Sequence, residues 1–472
     1  MLCLLWEVDG NVVELRSFID RIRRESPEEF LTISREVDPR FEITALVVKL
    51  EQERRFPILF FEKVKGTKFP VVTNVHSARR RLASAIGSEP RAAVANYLRK
   101  IEHPLRPVEI NGSAPVKEVV LKGDQVDLRC LPQIVHHQDD AGPYLTAAIT
   151  LAKDPLSGRL NCSFNRLMFI DKNHTSIHLT LGKHLWECYT NAEKLRQPLQ
   201  VAVILGAHPA WSLGALNIGS IDEEEFYLMG ALAGEPIEVV SAETMDLQVP
   251  ARAEMILEGE ILPFERVDEG PFGEFTGYSL GSRKREVFVI KAITHRRDAF
   301  LHDIAVGHLD HLLLSTIPME ANLFRSVRAM VPSVKAVRIP APFTCYVSIE
   351  KKTEGQGKNA ILAVLGSDLY IKHVIVVDHD IDIFDDQRVQ WAVGTRCQAD
   401  RDVTIIGNVG GSDLDPSDLK DGVSAKMGID ATAKPRLDSF TPRHRVPQEL
   451  LDHMDLKDYV PAAWLAKKDG AR

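Results

Sequence analysis

The sequence predicts a multidomain α+β / α/β protein whose strand-rich middle is flanked by an α/β unit on each side. Three observations carry that prediction. The chain has 472 residues, and at ~150 residues per domain that is about three structural units. Hydrophobic residues make up 44% and charged residues 26%, the balance of a folded, soluble protein rather than a disordered one. Finally, the spacing of the apolar residues changes twice, from mixed helix and strand to mostly strand and back. We place the units at 1–115, 116–298 and 299–472.

In the first unit, Leu15 to Glu25 sets Leu15, Phe18, Ile19 and Ile22 at helical spacing with charge opposite. The run from Ile43 reads the same way, and Ala78 to Ile101 is helix-rich. Phe56–Phe61 and Phe69–Val75 are apolar runs of strand length. The stretch His103 to Pro115, rich in Pro and Gly, marks the first boundary. Strand-like runs then dominate, among them 146–154, 161–171, 176–182, 199–210, 235–244 and 285–295. Helical pattern is confined mainly to 185–195 and 223–234. Strands at this density predict an antiparallel barrel or sandwich carrying a few helices. From about Ala299 helices and strands alternate again, and the tail from Ser412 reads as irregular before a short terminal helix.

Composition narrows the function. Lys plus Arg number 58 against 66 Asp plus Glu, a formal net charge of −8. That leaves no electrostatic footprint for nucleic acid or an anionic membrane. No run approaches the ~20 apolar residues of a membrane span. Glu7 and Asp9 break the apolar start, which also lacks a basic leader. The six cysteines are scattered singly and fit free thiols of a cytoplasmic protein. There is no dinucleotide-binding glycine fingerprint, phosphate-binding P-loop, HExxH or GxSxG.

Four short segments can carry chemistry. In Glu269-Gly-Pro-Phe-Gly-Glu274 two carboxylates flank turn-forming residues. Held beside one cavity, mutual repulsion and desolvation would push one of them toward general-acid duty; left in water, they are a solvated acidic turn. Strand alternation in 161–166 puts Asn161, Ser163 and Asn165 on one face, with Arg166 opposite unless the strand bends, on a strand that also carries Phe164. That face suits a pocket or a wet edge. His184 and Glu235 offer nitrogen and oxygen to a divalent metal.

The order of these segments is more specific than any one of them. NxSxxR, a His eighteen residues on, GEPIEVV, then EGPFGE followed by Gly277-Tyr278 resembles the UbiD family of decarboxylases. The resemblance extends through Val249–Glu260, the strand Val376–Asp385 and Lys426–Thr432, spanning about residues 110 to 435.

The resemblance implies a central split β-barrel, flavin-reductase-like, that binds prenylated FMN, with an α/β unit closing over it. It implies that Asn161, His184 and Glu235 bind Mn2+ or another divalent cation bridging to the cofactor phosphate, with K+ near Gly214 to Asn217. Ser163, Phe164, Arg166 and Lys351 join the cofactor site. Arg166, Glu269 and Glu274 form the catalytic network, Glu274 as proton donor and Arg166 as a guide for the substrate carboxylate. The implied reaction is reversible non-oxidative decarboxylation of an aromatic or heteroaromatic acid through a covalent adduct with prenylated FMN.

Three His and two Asp between Leu301 and His311 suit a substrate with a second polar substituent, such as a furan or pyrrole carboxylate. His302, His308 and His311 are therefore candidate substrate residues, with Phe275 as a stacking partner. A flavin prenyltransferase is the expected cofactor supplier, and a homo-oligomer the expected assembly, with 450–466 suited to docking. Rival readings are a carboxylase in the reverse direction, an oxidoreductase using ordinary FMN, and a noncatalytic subunit.

Overall fold

A computed structural model describes residues 12–112, 114–219, 223–418 and 422–461. The N-terminal unit forms where sequence spacing puts it: helix Leu15–Glu25 buries Leu15, Phe18, Ile19 and Ile22 against Phe30, Ile58, Phe60 and Phe300. Its sheet runs in the order Phe30–Ile33, Ile58–Phe61, Val71–Thr73, Leu301–His302. The fourth strand comes from beyond residue 299 and pairs in parallel with Val71–Thr73. The segment 301–311 is thereby fixed to the N-terminal unit.

The middle of the chain builds a seven-stranded antiparallel sheet. Its path is His174–Ile177, Arg283–His295, Met255–Glu269, Leu199–Leu205, Ile149–Lys153, Leu160–Phe164, with Val119–Lys122 added on Arg283–His295. Among the described residues its two end strands do not pair, so the sheet is an open path and not a closed barrel. The 15-residue strand Met255–Glu269 is its spine, and register shifts at Glu258/Gly259 and Ile261/Arg266 bend it. Gly259 is required at the first bend, because a Cβ there would lie 2.0 Å from the Val289 carbonyl oxygen. Helix His184–Lys194 packs under this sheet through Leu185, Cys188 and Tyr189.

The C-terminal sheet has the order Val334–Ala341, Thr344–Ile349, His373–Asp378, Val423–Ala431, Val403–Gly410. The middle three strands are parallel and the edges antiparallel. Strand Val423–Ala431 corrects the expectation of an irregular tail from Ser412. Its alternation is obscured by Lys426, which is buried because its ammonium caps the carbonyls of Leu365 and Asp368. The short helix Gln448–His453 forms and is exposed; the end of the expected docking segment, 462–466, lies outside the described residues.

Helix Thr316–Met330 ties this unit to the rest. Ile317 and Ala321 pack on Leu82, Ala83 and Tyr97, and buried Glu320 takes both Nη atoms of Arg79 at 3.0 and 2.7 Å. The guanidinium groups of Arg79, Arg91 and Arg338 all lie over Phe384, 5.0 to 5.7 Å from its ring centre.

Candidate active site

A cleft of about 610 Å³ opens between the central sheet and the C-terminal unit. One wall is the strand Leu160–Phe164 and the turn after it. Asn161, Ser163, Phe164 and Arg166 all line the cleft. Opposite stand Pro340, Pro342, Phe343 and Tyr370, at the near ends of the C-terminal strands.

At one end of the cleft Arg166 joins two carboxylates distant in sequence. Its Nε donates to Glu269 Oε1 at 2.9 Å and its Nη2 to Glu269 Oε2 at 3.1 Å. Its Nη1 donates to Glu274 Oε1. The guanidinium lies 4.8 Å over the ring of Phe272. Glu269 is the last residue of the long strand, and Gly270 then turns the chain with φ +91°. Asp140 pins the loop by accepting from the amide of Gly273 at 3.0 Å and of His137 at 2.8 Å. Phe272–Gly273 pairs with Ser279–Leu280, so Glu274 leaves a short hairpin.

Burial sets the charges here. The Glu274 carboxyl is pushed above the usual carboxylate range by desolvation, which outweighs the Arg166 ion pair, and the Glu269 charge adds to the rise. Arg166 moves up, because its two carboxylate partners overcome the desolvation of its charge. His178, half-buried on the same cleft lining, is held well below its ordinary value by desolvation and by Arg166, Arg285 and Arg283. His311 drops to about 4, mainly through burial. Both imidazoles are neutral at pH 7.

At the other end, helix His184–Lys194 begins at the cleft, with Lys183 and His184 on its lining. The helix dipole favours an anion there. His184 Nδ1 lies 3.3 Å from Glu225 Oε1, and Asn161 Nδ2 donates to the same oxygen at 3.2 Å. Asn161 Oδ1 is buried with no hydrogen-bond partner. An orphaned oxygen, an imidazole and a carboxylate within contact of one another fit the oxygen and nitrogen preferences of a hard divalent cation.

Four sequence expectations are corrected. Glu235 is not in this group: its Oε1 accepts from the Val13 amide at 2.9 Å, on the far side of helix Glu225–Ala233. Glu225 stands in its place, missed because the acidic run 222–225 reads as solvated. The available signal was its helical register with Leu228, Met229 and Leu232, all buried. Lys351 lies at the far end of the parallel strands, a strand length of ~20 Å from the cleft, donating to the Ala433 carbonyl. His302 is buried against His76, ring centres 5.3 Å apart, outside the cleft lining. His308 pairs with Glu51 at 2.8 Å and also stays outside that lining. His311 and Phe275 do line the cleft, and Phe275 meets Phe343 and Tyr370 edge to face.

Comparison with known proteins agrees with the motif order. Three family models match in succession: the N-terminal domain of 3-octaprenyl-4-hydroxybenzoate carboxy-lyase over 23–101, its Rift-related UbiD domain over 108–309 and its C-terminal domain over 312–431. The chain belongs to the UbiD family. Its structure is similar to the UbiD-class enzyme HmfF from Pelotomaculum thermopropionicum in complex with FMN, with 41% identity, TM-score 0.88, and 95% of this chain and 100% of that chain covered. An evolved dimeric form of that enzyme with prFMN matches at 39% identity and TM-score 0.85 over the same shares. Klebsiella pneumoniae 3,4-dihydroxybenzoic acid decarboxylase matches at 27% and 0.86, covering 95% of this chain and 99% of that one. The anhydromevalonate phosphate decarboxylase of Methanosarcina mazei is 36% identical over 88% of this chain and 95% of its own length. The protein is thus a UbiD-type carboxy-lyase of a flavoprotein class, which sets aside the oxidoreductase and noncatalytic readings. No helix among the described residues is long and apolar enough to cross a membrane.

Proposed function

We propose that the chain decarboxylates an aromatic or heteroaromatic acid bearing a second polar group, with Arg166 guiding the carboxylate and Glu274 donating the proton. The observation that carries this reading is the Arg166 fork joining Glu269 and a buried Glu274 in a cleft walled by Phe272, Phe275, Phe343 and Tyr370. The aromatic edges favour a flat ring. His311 adds a neutral polar atom: the Gly307 amide donates to its Nδ1 at 3.5 Å, leaving Nε2 for a ring substituent.

Prenylated FMN, when bound, would supply the electron-accepting centre for C–C cleavage. The residues of this chain do the rest. Arg166 orients the carboxylate, burial raises the proton affinity of Glu274 where a carbanion-like centre would need a proton, and Glu269 holds the Arg166 fork. Asn161, His184 and Glu225 would hold Mn2+ or a similar cation against the cofactor phosphate, Ser163 and Phe164 would line the flavin, and K+ would sit near Gly214 to Asn217. Hydration of the site is limited by Phe275 meeting Phe343 and Tyr370 across the opening. A flavin prenyltransferase would supply the cofactor, a homo-oligomer is the assembly we expect, and the cytoplasm the compartment. We keep 1–115, 116–298 and 299–472 as the domain division, with strand Leu301–His302 returning to the N-terminal sheet, and a split, flavin-reductase-like barrel as our reading of the central sheet.

A second reading has an observation behind it, since curated relatives at 36% identity act on anhydromevalonate phosphate. Against it, among the described residues Arg and Lys on the cleft lining are Arg166 and Lys183; the first is held by two carboxylates and the second stands at the cofactor end. A substrate phosphate needs more positive charge than that. Protein produced with a prenyl-FMN-forming partner decides between them by carbon dioxide release from 3,4-dihydroxybenzoate, 2-furoate, furan-2,5-dicarboxylate, pyrrole-2-carboxylate and anhydromevalonate phosphate. Release from a ring acid is the expected result; release from the phosphate alone overturns the aromatic reading. Glu225→Gln should cut bound metal and flavin about 10- to 100-fold and Glu235→Gln should leave both in place, read by metal analysis and flavin absorbance. The reverse pattern returns the ligand to Glu235.

A further inference from the structure

Arg166 engages three of its five N–H groups at rest: the side-on Nε/Nη2 edge is on Glu269 and Nη1 is on Glu274, so a substrate carboxylate gripped on that bidentate edge must displace Glu269. Releasing Glu269 would strand a fully buried carboxylate, a costly step unless other donors receive it.

Two such donors stand beside Glu269 without a hydrogen bond of full geometry. Arg285 lies on the neighbouring strand Arg283–His295, where Val267 faces Arg285 and Glu269 faces Arg283. Both arginines therefore share the Glu269 side of the sheet. Arg285 Nε is 3.6 Å from Glu269 Oε2, beyond hydrogen-bond range, and is buried with no hydrogen-bond partner. The Tyr144 hydroxyl is equally buried and makes no hydrogen bond of full geometry. Its ring packs on Phe272 at 4.0 Å, and burial first, then the adjacent Glu269 carboxylate, disfavour its ionisation. A buried donor left without a hydrogen bond is costly, and here two of them border the same carboxylate. A movement of about 0.7 Å would bring Arg285 Nε to the usual ~2.9 Å.

We propose that Arg285 and Tyr144 are positioning residues that receive the Glu269 carboxylate when Arg166 turns to the substrate carboxylate. Glu269 keeps hydrogen-bond donors in both states, and Arg166 exchanges one carboxylate for another. Arg285 also explains why one glutamate faces two arginines while Glu274 faces one: the pair divides into a permanent counter-ion and a proton carrier. This inference rests on the reading that Arg166 holds the substrate carboxylate.

The test uses flavin-loaded protein with 2-furoate as the probe, titrated calorimetrically for binding and followed for carbon dioxide release. Expected are loss of binding in Arg166→Met, about tenfold weaker binding in Arg285→Met, about threefold weaker in Tyr144→Phe, and recovery to within about threefold of wild type in Arg285→Lys. KM should rise with the dissociation constant while kcat stays within about twofold, a split that loss of folded protein does not produce. Weak binding in Arg166→Met with wild-type binding in Arg285→Met and Tyr144→Phe overturns the inference and leaves the Arg166 reading standing. Wild-type binding in Arg166→Met overturns that reading and the inference with it. If Arg285→Met does not fold, Tyr144→Phe, which removes one oxygen, and Arg285→Lys decide alone.

Discussion

Two segments of this chain look alike in sequence, each dense in ionisable side chains and glycine, and the structure uses them differently. The loop 269–274 delivers both carboxylates to one arginine at the cleft. The segment 301–311 scatters its three histidines and two aspartates over three environments. Asp310 accepts from the amides of Asn74 at 2.9 Å, His76 at 2.7 Å and Ala305 at 3.3 Å. Asp303 accepts from Thr73 and Thr146 and lies 3.2 Å from His136. Only His311 of the three histidines reaches the cleft lining. Acids satisfied by buried amides, hydroxyls and an imidazole hold a fold together, whereas acids paired with an arginine on the cleft lining are available for chemistry.

The sharpest test of that contrast is Glu274→Gln, which keeps the volume and removes the proton. Turnover should fall at least about a thousandfold, with flavin and metal content unchanged by absorbance and metal analysis. A variant retaining a tenth of the activity would place the proton donor elsewhere. Asp310→Ala should do the opposite. It strands three buried amides and lowers stability by ~3–5 kcal/mol, read from the urea unfolding midpoint. A loss under ~1 kcal/mol would remove Asp310 from its structural role.

The Asp310 contacts also show what a sequence can and cannot disclose. The helices and strands around Leu15, Phe61 and Ile361 were legible because their apolar spacing is uninterrupted and one face of each is buried. Arg166, Glu269 and Glu274 were legible because their order along the chain is rare, although nothing local says that they meet. Glu225 was hidden, since a buried carboxylate at the start of a helix looks in sequence like any acidic helix start. Lys426 hid a strand in the same way, and Lys351 seemed functional because only the sheet direction reveals which end of a strand faces the cleft. Long-range pairing of buried charge is the common cause of these misses.

The two segments should also respond oppositely to pH. Burial lowers His302 to about 3 and His311 to about 4, so these rings stay neutral in the folded chain while the unfolded chain takes up protons below ~6.5. Stability from them is present above pH 6.5 and is lost as pH falls, by ~2 kcal/mol per ring at pH 5. Glu274 is raised instead, so the folded chain holds its proton more tightly and its contribution is lost as pH rises through that window above 4.5. His302→Phe should therefore reduce the loss of stability between pH 7 and pH 5 by ~2 kcal/mol, measured as urea midpoints at each pH. An unchanged difference would mean that the ring at 302 is solvated or protonated in the folded protein.

The smallest effect separates the histidines within the 301–311 segment itself. His311 and His308 are three residues apart on the same turn of chain, yet His308 faces Glu51 while His311 faces Phe275, their ring centres 6.2 Å apart. His311→Asn replaces a neutral ring by a smaller amide at the substrate end, which alters both the space and the hydrogen bond offered to a ring substituent. A specificity change of about tenfold between two ring acids is the expected size for one such contact. His308→Asn exchanges a partly exposed pairing with Glu51 for a neutral one, worth under ~1 kcal/mol, and should leave the ranking of acids within about twofold. Carbon dioxide release from 2-furoate and pyrrole-2-carboxylate in parallel reads both variants. Equal changes in the two would show that the whole segment shapes the pocket, and the division between structural and chemical halves would then fall between residues 303 and 308 and not between 308 and 311.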